Sequence, residues 1–241
     1  MTINLAINPS LDLTPYREEF ARTGIVQVRD FLTDSAAEDL HALLKSGLKW
    51  RTLFVEEGKG PVHYSDEELA AMGQQGLQAK FAELNEQARR NVGYLYRTYP
   101  MIEAYLNRWD PGHNIHKVSE FLNSPDFLSV GGALLARPDI VKAEAHATKF
   151  SPGHYLTRHM DAREDGTRRA AYVLGLTKDW QPDWGGMLMF LKDDIDIECG
   201  FLPKFNVLTV FDISKHHTVS QVSTFAGGDR YSVTGWFRSA G

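Results

Sequence analysis

Cysteine is almost absent from this chain: Cys199 stands alone among 241 residues. A single thiol excludes an intrachain disulfide and any multi-cysteine zinc site. Long apolar runs are missing too. No stretch reaches the roughly 18 uninterrupted apolar residues a bilayer-spanning helix needs, so no membrane partner is expected. The N-terminus, MTINLAINPSLDL, has neither a basic leader nor an apolar core and does not read as a secretory signal. A basic excess is also lacking, with 26 Lys and Arg against 31 Asp and Glu and a formal net charge of −5. Nucleic-acid binders usually show the opposite balance, so direct nucleic-acid contact is not expected. Repeats, low-complexity tracts and Pro/Gly/Ser-rich linkers are absent. One domain over residues 1–241, in a cytoplasmic setting, is the expectation.

What is present changes character near residue 143. Residues 1–142 carry helix-like segments at Pro15–Thr23 (behind Thr14 as N-cap), Ser35–Ser46 and Gln74–Tyr99. KVSEFLNSPDFLSVGGALL reads as two short helices joined at Ser124-Pro125, and GIVQVRDFL as one early strand. Val55–Gln75, rich in Glu and Gly, is either a candidate lid or a solvated surface loop. Residues 143–238 then offer short strands: AEAHATKF, YLTRH, RAAYVLGL, GGMLMFL, NVLTVFD, HTVSQV and RYSVTGWF. Closely spaced strands with turns between them suggest a barrel or a two-sheet jelly roll. The expected class is α+β, with N-terminal helices buttressing a C-terminal β-core.

In YLTRHMDAREDG, His159 and Asp161 stand two residues apart on a predicted strand. Side chains at i and i+2 point to the same side, so both can reach one point. Imidazole with carboxylate suits iron, manganese or zinc. FDISKHHTVSQV offers His216 and His217 as a third ligand on another strand, and Arg230 opens the next one, RYSVTGWF. Two histidines and one carboxylate on one face of a metal leave open positions, as in the facial triad of non-haem iron(II) oxygenases.

The run from Ala143 to Arg238 resembles the double-stranded β-helix of 2-oxoglutarate- and iron(II)-dependent oxygenases. Within that superfamily it is similar to the prolyl hydroxylase group, above all the ribosomal prolyl hydroxylase-like branch. The motifs are ATKFSPGHYLTRHMD, RRAAYVLGLTKDWQPDWGGMLMF, FNVLTVFD, HHTVSQV and RYSVTGWF, with weaker likeness in YLYRTYPMI and VSEFLNSPDFLSVGG. The resemblance implies His159, Asp161 and His217 as iron ligands, His217 followed by Val219 and Val222 in the family's pattern. His216 would face the other way, because one step along a strand flips the side chain. It implies Arg230 as the partner of the distal carboxylate of 2-oxoglutarate, with Ser232 adding a hydroxyl. Thr234 and Trp236 continue that face, Trp236 being read as core packing. Relatives carry a tyrosine where this chain has Phe150, so either Thr148, Tyr155 or Tyr172 supplies that contact or the cosubstrate is held with one hydrogen bond fewer.

The implied cofactors are Fe(II), 2-oxoglutarate and O2, with ascorbate as reductant. The implied reaction couples decarboxylation of 2-oxoglutarate to succinate with hydroxylation of an unactivated C–H bond. Asp161, where halogenases have a small residue, favours hydroxylation. A prolyl residue in a protein or peptide is the first substrate choice. Arg163, Arg168 and Arg169 leave open a free amino acid or other small metabolite. The acids Glu56, Glu57, Asp66, Glu67 and Glu68 read either as a docking face for a basic peptide or as solvated surface. A cupin-like metalloenzyme without 2-oxoglutarate and a non-catalytic scaffold compete with the oxygenase reading. Arg230 discriminates against both. Yeast and animal members of the ribosomal branch carry a second β-helix domain, for which 241 residues leave no room. His41, His63, His113, His116, His146 and His154 read as surface polar residues, His154 near the site's mouth.

Overall fold

Small, β-branched and aromatic residues in alternation build the β-core, and the computed structural model describes residues 3–56, 60–90, 93–163, 165–193 and 196–240. Seven helices lie in the first part: α1 (Thr14–Thr23), α2 (Asp34–Ser46), α3 (Asp66–Ala71), α4 (Gly73–Arg90), α5 (Met101–Leu106), α6 (Ile115–Leu122) and α7 (Pro125–Leu135). Threaded among them are β1 (Ile25–Arg29), β2 (Arg51–Glu56), β3 (Gly60–Tyr64) and β4 (Tyr94–Tyr99). The core strands follow: β5 (Ile140–Phe150), β6 (Tyr155–His159), β7 (Arg168–Leu176), β8 (Leu188–Lys192), β9 (Asp196–Phe201), β10 (Phe205–Asp212), β11 (His217–Val219) and β12 (Arg230–Ser239).

All pairings are antiparallel, in the order β1-β10-β7-β12-β5-β4-β6-β11-β8-β9, with β2 and β3 branching from β4. The sheet curls over itself as the expected double-stranded β-helix. Strand β4 makes the corner. One end of its edge pairs β5 through Arg97–Tyr99, and the other end pairs β6 through Tyr94 and Leu95. Period-two alternation divides the surfaces. Ala143, Ala145 and Ala147 of β5 are buried toward the helices, where their small side chains let α5, α6 and α7 approach. Phe127 of α7 stacks on Phe237 of β12 at 5.3 Å, and Leu40 and Leu44 of α2 complete that core. The opposite face of β5 and β12 is left for the cavity.

Three expectations are corrected. The helix read over Gln74–Tyr99 ends at Arg90, and YLYRTY, half of it tyrosine, goes into the sheet as β4 by pairing with β2, β5 and β6. The described part of Val55–Gln75 is no loop: β2 and β3 pair antiparallel and α3 follows under a Ser65/Glu68 capping box. Thr14 lies inside α1 rather than capping it; Leu13 is the cap position and Asp12 Oδ1 accepts the Thr14 N–H at 2.9 Å. Strand β9 (DIECGF) was missed because its polar, Gly-containing sequence has little strand propensity and pairs only at the sheet's edge. The two helices meeting at Ser124-Pro125 form as read, with Ser124 accepting the Phe127 N–H.

The acids of that region are neutralised from within. Glu56 is buried against Lys80 at 2.7 Å, Asp66 pairs with Arg97 at 2.5 Å and Glu68 with Arg51 at 3.3 Å. Glu67 is exposed, and Glu57 lies outside the described residues. Glu56, Asp66 and Glu68 thus have cationic partners within the fold.

Candidate metal centre

His159 closes β6 directly opposite His217, the first residue of β11. Between the His217–His159 and Val219–Leu156 pairs, β11 advances two residues while β6 takes three, a β-bulge. The extra residue turns both Leu156 and His159 inward. It is pinned by Thr157, whose Oγ1 accepts the Gly93 N–H at 2.8 Å and whose own N–H donates to the Gly93 carbonyl. Asp161 lies beyond the strand's end and is held by its N–H, which donates to the Ile213 carbonyl at 3.2 Å. Thus the two acid-and-imidazole ligands converge through a bulge and a loop, not through simple strand alternation.

Ligand atoms of His159, Asp161 and His217 all lie within 4.8 Å of one another, and no other such group of three occurs among the described residues. His217 Nε2 is 3.4 Å from Asp161 Oδ2, and His159 Nε2 is 4.0 Å from Asp161 Oδ1. Each Nδ1 faces a backbone carbonyl: Thr157 at 2.9 Å for His159 and Lys215 at 3.0 Å for His217. A carbonyl only accepts, so each Nδ1 carries the proton and each Nε2 turns a lone pair toward the cluster. This is the outer support that metal-binding imidazoles use. Burial pulls the His217 pKa down to about 4, with the neighbouring His159 adding to the effect. The donor set, its tautomers and its spacing fit a divalent iron, manganese or zinc ion.

A cavity of about 460 Å³ opens from this cluster. That is within the roughly 300–1,000 Å³ range of small-molecule sites. Arg230 and Ser232 of β12 and Thr148 of β5 line it. Arg230 is 5 % exposed, its Nη1 has no hydrogen-bond partner, and burial pulls its pKa down to about 10. A buried guanidinium with an unused nitrogen is costly unless an anion meets it. Its guanidinium carbon lies 5.0 Å from the Phe150 ring, the side chain directly opposite on β5. Ser232 and Thr148 satisfy one another, Oγ to Oγ1, at 2.7 Å.

Other expected residues go elsewhere. Tyr172 borders the cavity, but its ring packs against Phe127 and Phe237 on the helix side, and its hydroxyl donates to the Glu144 carbonyl at 2.8 Å. Gly235 must be glycine for that contact, since a Cβ there would sit 1.7 Å from the same carbonyl oxygen. Tyr155 points away from the cavity onto Phe54, Leu84 and Leu95, on the far side of the bulge. His216 is not among the lining residues. Trp236 packs against a hydrophobic core cluster as read and also lines the cavity, with the Arg168 guanidinium carbon 3.5 Å from its ring centroid. Arg168 also donates to the Asp161 carbonyl at 3.3 Å, and Arg163 lines the exposed mouth, whereas Arg169 turns to Asp139 at 3.8 Å. Tyr94, Tyr96 and His146 were missed. The aromatic content of YLYRTY, which favours a strand, was the signal for the two tyrosines.

His146, read as a surface residue, faces the cavity with Nε2 2.9 Å from Thr234 Oγ1, and burial pulls its pKa down to about 4. His154 stays outside the cavity in the turn before β6. There its Nδ1 accepts the Ser151 N–H at 3.0 Å. Burial lowers its pKa to about 4, against a hydrogen bond with the Lys149 backbone that raises it. The folded value lies below the ordinary 6.5, so the unfolded chain binds more protons between pH 6.5 and 4. Stability from this group is complete above pH 6.5 and is lost as pH falls toward 4, by at most about 3 kcal/mol after solvent screening. His154→Asn keeps an acceptor and removes the titration. Urea unfolding at pH 7 and 4.5 is expected to show a smaller acid loss in the variant. An unchanged difference between the two pH values would discard this assignment.

Residues 145–238 match the family model described as the 2OG-Fe(II) oxygenase superfamily. This β-core is a 2OG-Fe(II) oxygenase domain. The chain thus carries a 2-oxoglutarate-dependent dioxygenase core over these residues, and the family implies Fe(II), 2-oxoglutarate and O2. The fold is prolyl-hydroxylase-like. A crystal structure of a Pseudomonas putida prolyl-4-hydroxylase is similar with TM-score 0.59 and 22% identity, over 95% of this chain and 100% of that one. A Trichoplax adhaerens prolyl hydroxylase in complex with a hypoxia-inducible-factor peptide gives TM-score 0.53 and 14% identity, over 96% and 94%. The non-haem α-ketoglutarate-dependent epimerase SnoN from nogalamycin biosynthesis gives 0.54 and 13%, over 95% and 83%. No curated protein sequence matches the chain. No helix among the described residues is long and apolar enough to cross a membrane.

Proposed function

We propose that the oxygenase hydroxylates an unactivated C–H bond, in the first place of a prolyl residue in a protein or peptide. The observation that carries the reading is one cavity holding His159, Asp161 and His217 at one end and the unpaired Arg230 guanidinium on its wall. In this reading His159 and His217 give their Nε2 lone pairs and Asp161 its carboxylate to iron. Arg230 pairs the distal carboxylate of 2-oxoglutarate, a geometry its planar fork suits. When bound, iron supplies oxygen activation coupled to the loss of carbon dioxide from 2-oxoglutarate. The protein positions the substrate carbon and keeps water out, through apolar walls that include Phe150, Leu188 and Val219.

For a prolyl group, the mouth offers a matching pair: Trp236 presents an indole face, and Arg168 a donor for the prolyl carbonyl. Similarity to two prolyl hydroxylase structures supports the fold half of this choice. A second reading is favoured by Arg163, exposed beside Arg168 at the mouth, which suits the free carboxylate of an amino acid or other small metabolite. A cupin-like enzyme without 2-oxoglutarate and a scaffold have no use for a buried, unpaired Arg230. Ascorbate as reductant and a cytoplasmic setting go with the main reading.

The test is succinate formation from 2-oxoglutarate by the purified chain with Fe(II), O2 and ascorbate, with and without prolyl peptides or free amino acids. Stimulation by a prolyl peptide, with a mass gain of one oxygen on it, is expected. Stimulation by free amino acids alone would replace the peptide reading with the second one.

A further inference from the structure

Most hydroxyl hydrogens near the cavity are already committed. Thr148 Oγ1 donates to the Ser232 carbonyl at 3.3 Å, and the Ser232 hydroxyl is 2.7 Å from Thr148 Oγ1. Thr234 is engaged with His146, and Tyr172 donates behind the sheet. Tyr96 of β4 differs. It is 9 % exposed, lines the cavity, and its hydroxyl makes no hydrogen bond among the described residues. Its ring stacks on Phe150 with centroids 4.8 Å apart and planes 12° from parallel.

That stack fixes where the phenol stands. Arg230 is opposite Phe150 across β12 and β5, and Arg97, next to Tyr96, is opposite Lys149, next to Phe150. Arg230, Phe150 and Tyr96 therefore form a row across three strands. Phe150, in the middle, has no polar atom to offer. Burial raises the Tyr96 pKa, and the neighbouring Tyr94 and the Asp161 charge raise it further, so the phenol stays protonated and can donate. A buried 2-oxo dicarboxylate has more acceptor sites than one guanidinium and a metal can meet, and each unmet one costs affinity.

We propose that Tyr96 is a cosubstrate-binding residue, its phenol donating a hydrogen bond to an oxygen of 2-oxoglutarate and supplying the donor that Phe150 lacks. This rests on the 2-oxoglutarate reading of the Arg230 pocket. Tyr155, which packs away from the cavity against Phe54, Leu84 and Leu95, is the internal comparison.

The experiment is calorimetric titration of 2-oxoglutarate into the full chain loaded with Mn(II). Wild type, Tyr96→Phe, Tyr155→Phe and the exchange variant Tyr96→Phe/Phe150→Tyr would be compared. Tyr96→Phe keeps the stacked ring and is expected to raise Kd about five- to tenfold, the effect of one hydrogen bond. Tyr155→Phe is expected to stay within about twofold of wild type, and the exchange to return most of the loss, because it puts a hydroxyl back in the same row. Wild-type affinity in Tyr96→Phe would overturn the proposal alone. So would a loss that the exchange leaves in full, since the ring's seating would then be responsible. Mn(II) binding without any 2-oxoglutarate binding by wild type would overturn the cosubstrate reading and this proposal with it.

Discussion

His217→Ala is expected to lower Mn(II) or Fe(II) affinity by at least about 100-fold and to bring succinate formation to background. Loss of an outer-shell partner of a metal ligand alone costs about 10- to 100-fold in affinity, and His217 is placed in the ligand set itself. The site has no local substitute. His217 is 3 % exposed, oriented by the Lys215 carbonyl, and enclosed by Phe190 and Phe211 at 6.1 and 4.7 Å between ring centroids. His216 is one residue away but does not line the cavity. His216→Ala is therefore the matched comparison and is expected to keep both metal and turnover. Metal titration followed by paramagnetic resonance of Mn(II) reads affinity directly, and circular dichroism checks that the small cavity left by the imidazole has not unfolded the sheet. Undiminished metal binding in folded His217→Ala would remove this residue from the site.

Arg230→Met is expected to move stability and ligand affinity in opposite directions. Without an anion, the guanidinium is buried with Nη1 unpartnered, and its pKa is drawn down to about 10 by that burial alone. Methionine has similar length and can pack its thioether against Phe150 without a charge to desolvate. Apolar replacement of buried charge is often stabilising by about 1–4 kcal/mol, so the ligand-free melting temperature should rise. The 2-oxoglutarate complex should weaken by about 2–5 kcal/mol, roughly 30- to 5,000-fold, since its carboxylate would then be buried without a partner. Thermal melts without ligand and calorimetry with Mn(II) separate the two effects. Equal affinity in variant and wild type would take Arg230 out of cosubstrate binding. A lower ligand-free melting temperature would mean that the guanidinium is better compensated than its surroundings indicate.

Legibility in the sequence followed the range of the interactions involved. Strands β5, β7 and β12 were readable because stretches of each alternate between more and less buried positions, and β10 because FNVLTVFD is a short apolar, β-branched run bounded by turns. Strand β4 was not, because six residues directly after a long helical run carry little periodic signal, and their strand state comes from pairing with β2, β5 and β6. The same oversight hid Tyr94 and Tyr96 from the cavity. Tyr155, four residues before His159, was counted toward the site as one stand-in for the tyrosine that Phe150 replaces. The bulge at Thr157 reverses the face between them, and no local residue pattern announces it. Trp236 was assigned to the core on its residue type, and it also lines the cavity from the inward face of β12, which the helices do not cover.

By itself the sequence offered the chemistry as candidates: His159, Asp161 and His217 as donors, Arg230 as a partner for an anion, and a run of short strands to carry them. The His-x-Asp pair came from residue type and short spacing, and the roles of His217 and Arg230 from the family resemblance, neither of which depends on distant contacts. The tertiary structure decided which side chains share the cavity. It placed Tyr96 over Phe150, turned Tyr172 behind the sheet and Tyr155 beyond the bulge, and set Arg168 across Trp236 at the mouth. Each of these depends on strand register and on the corner at β4, where partners far apart in the chain meet. A shift of one residue in pairing would exchange every inward side chain for an outward one.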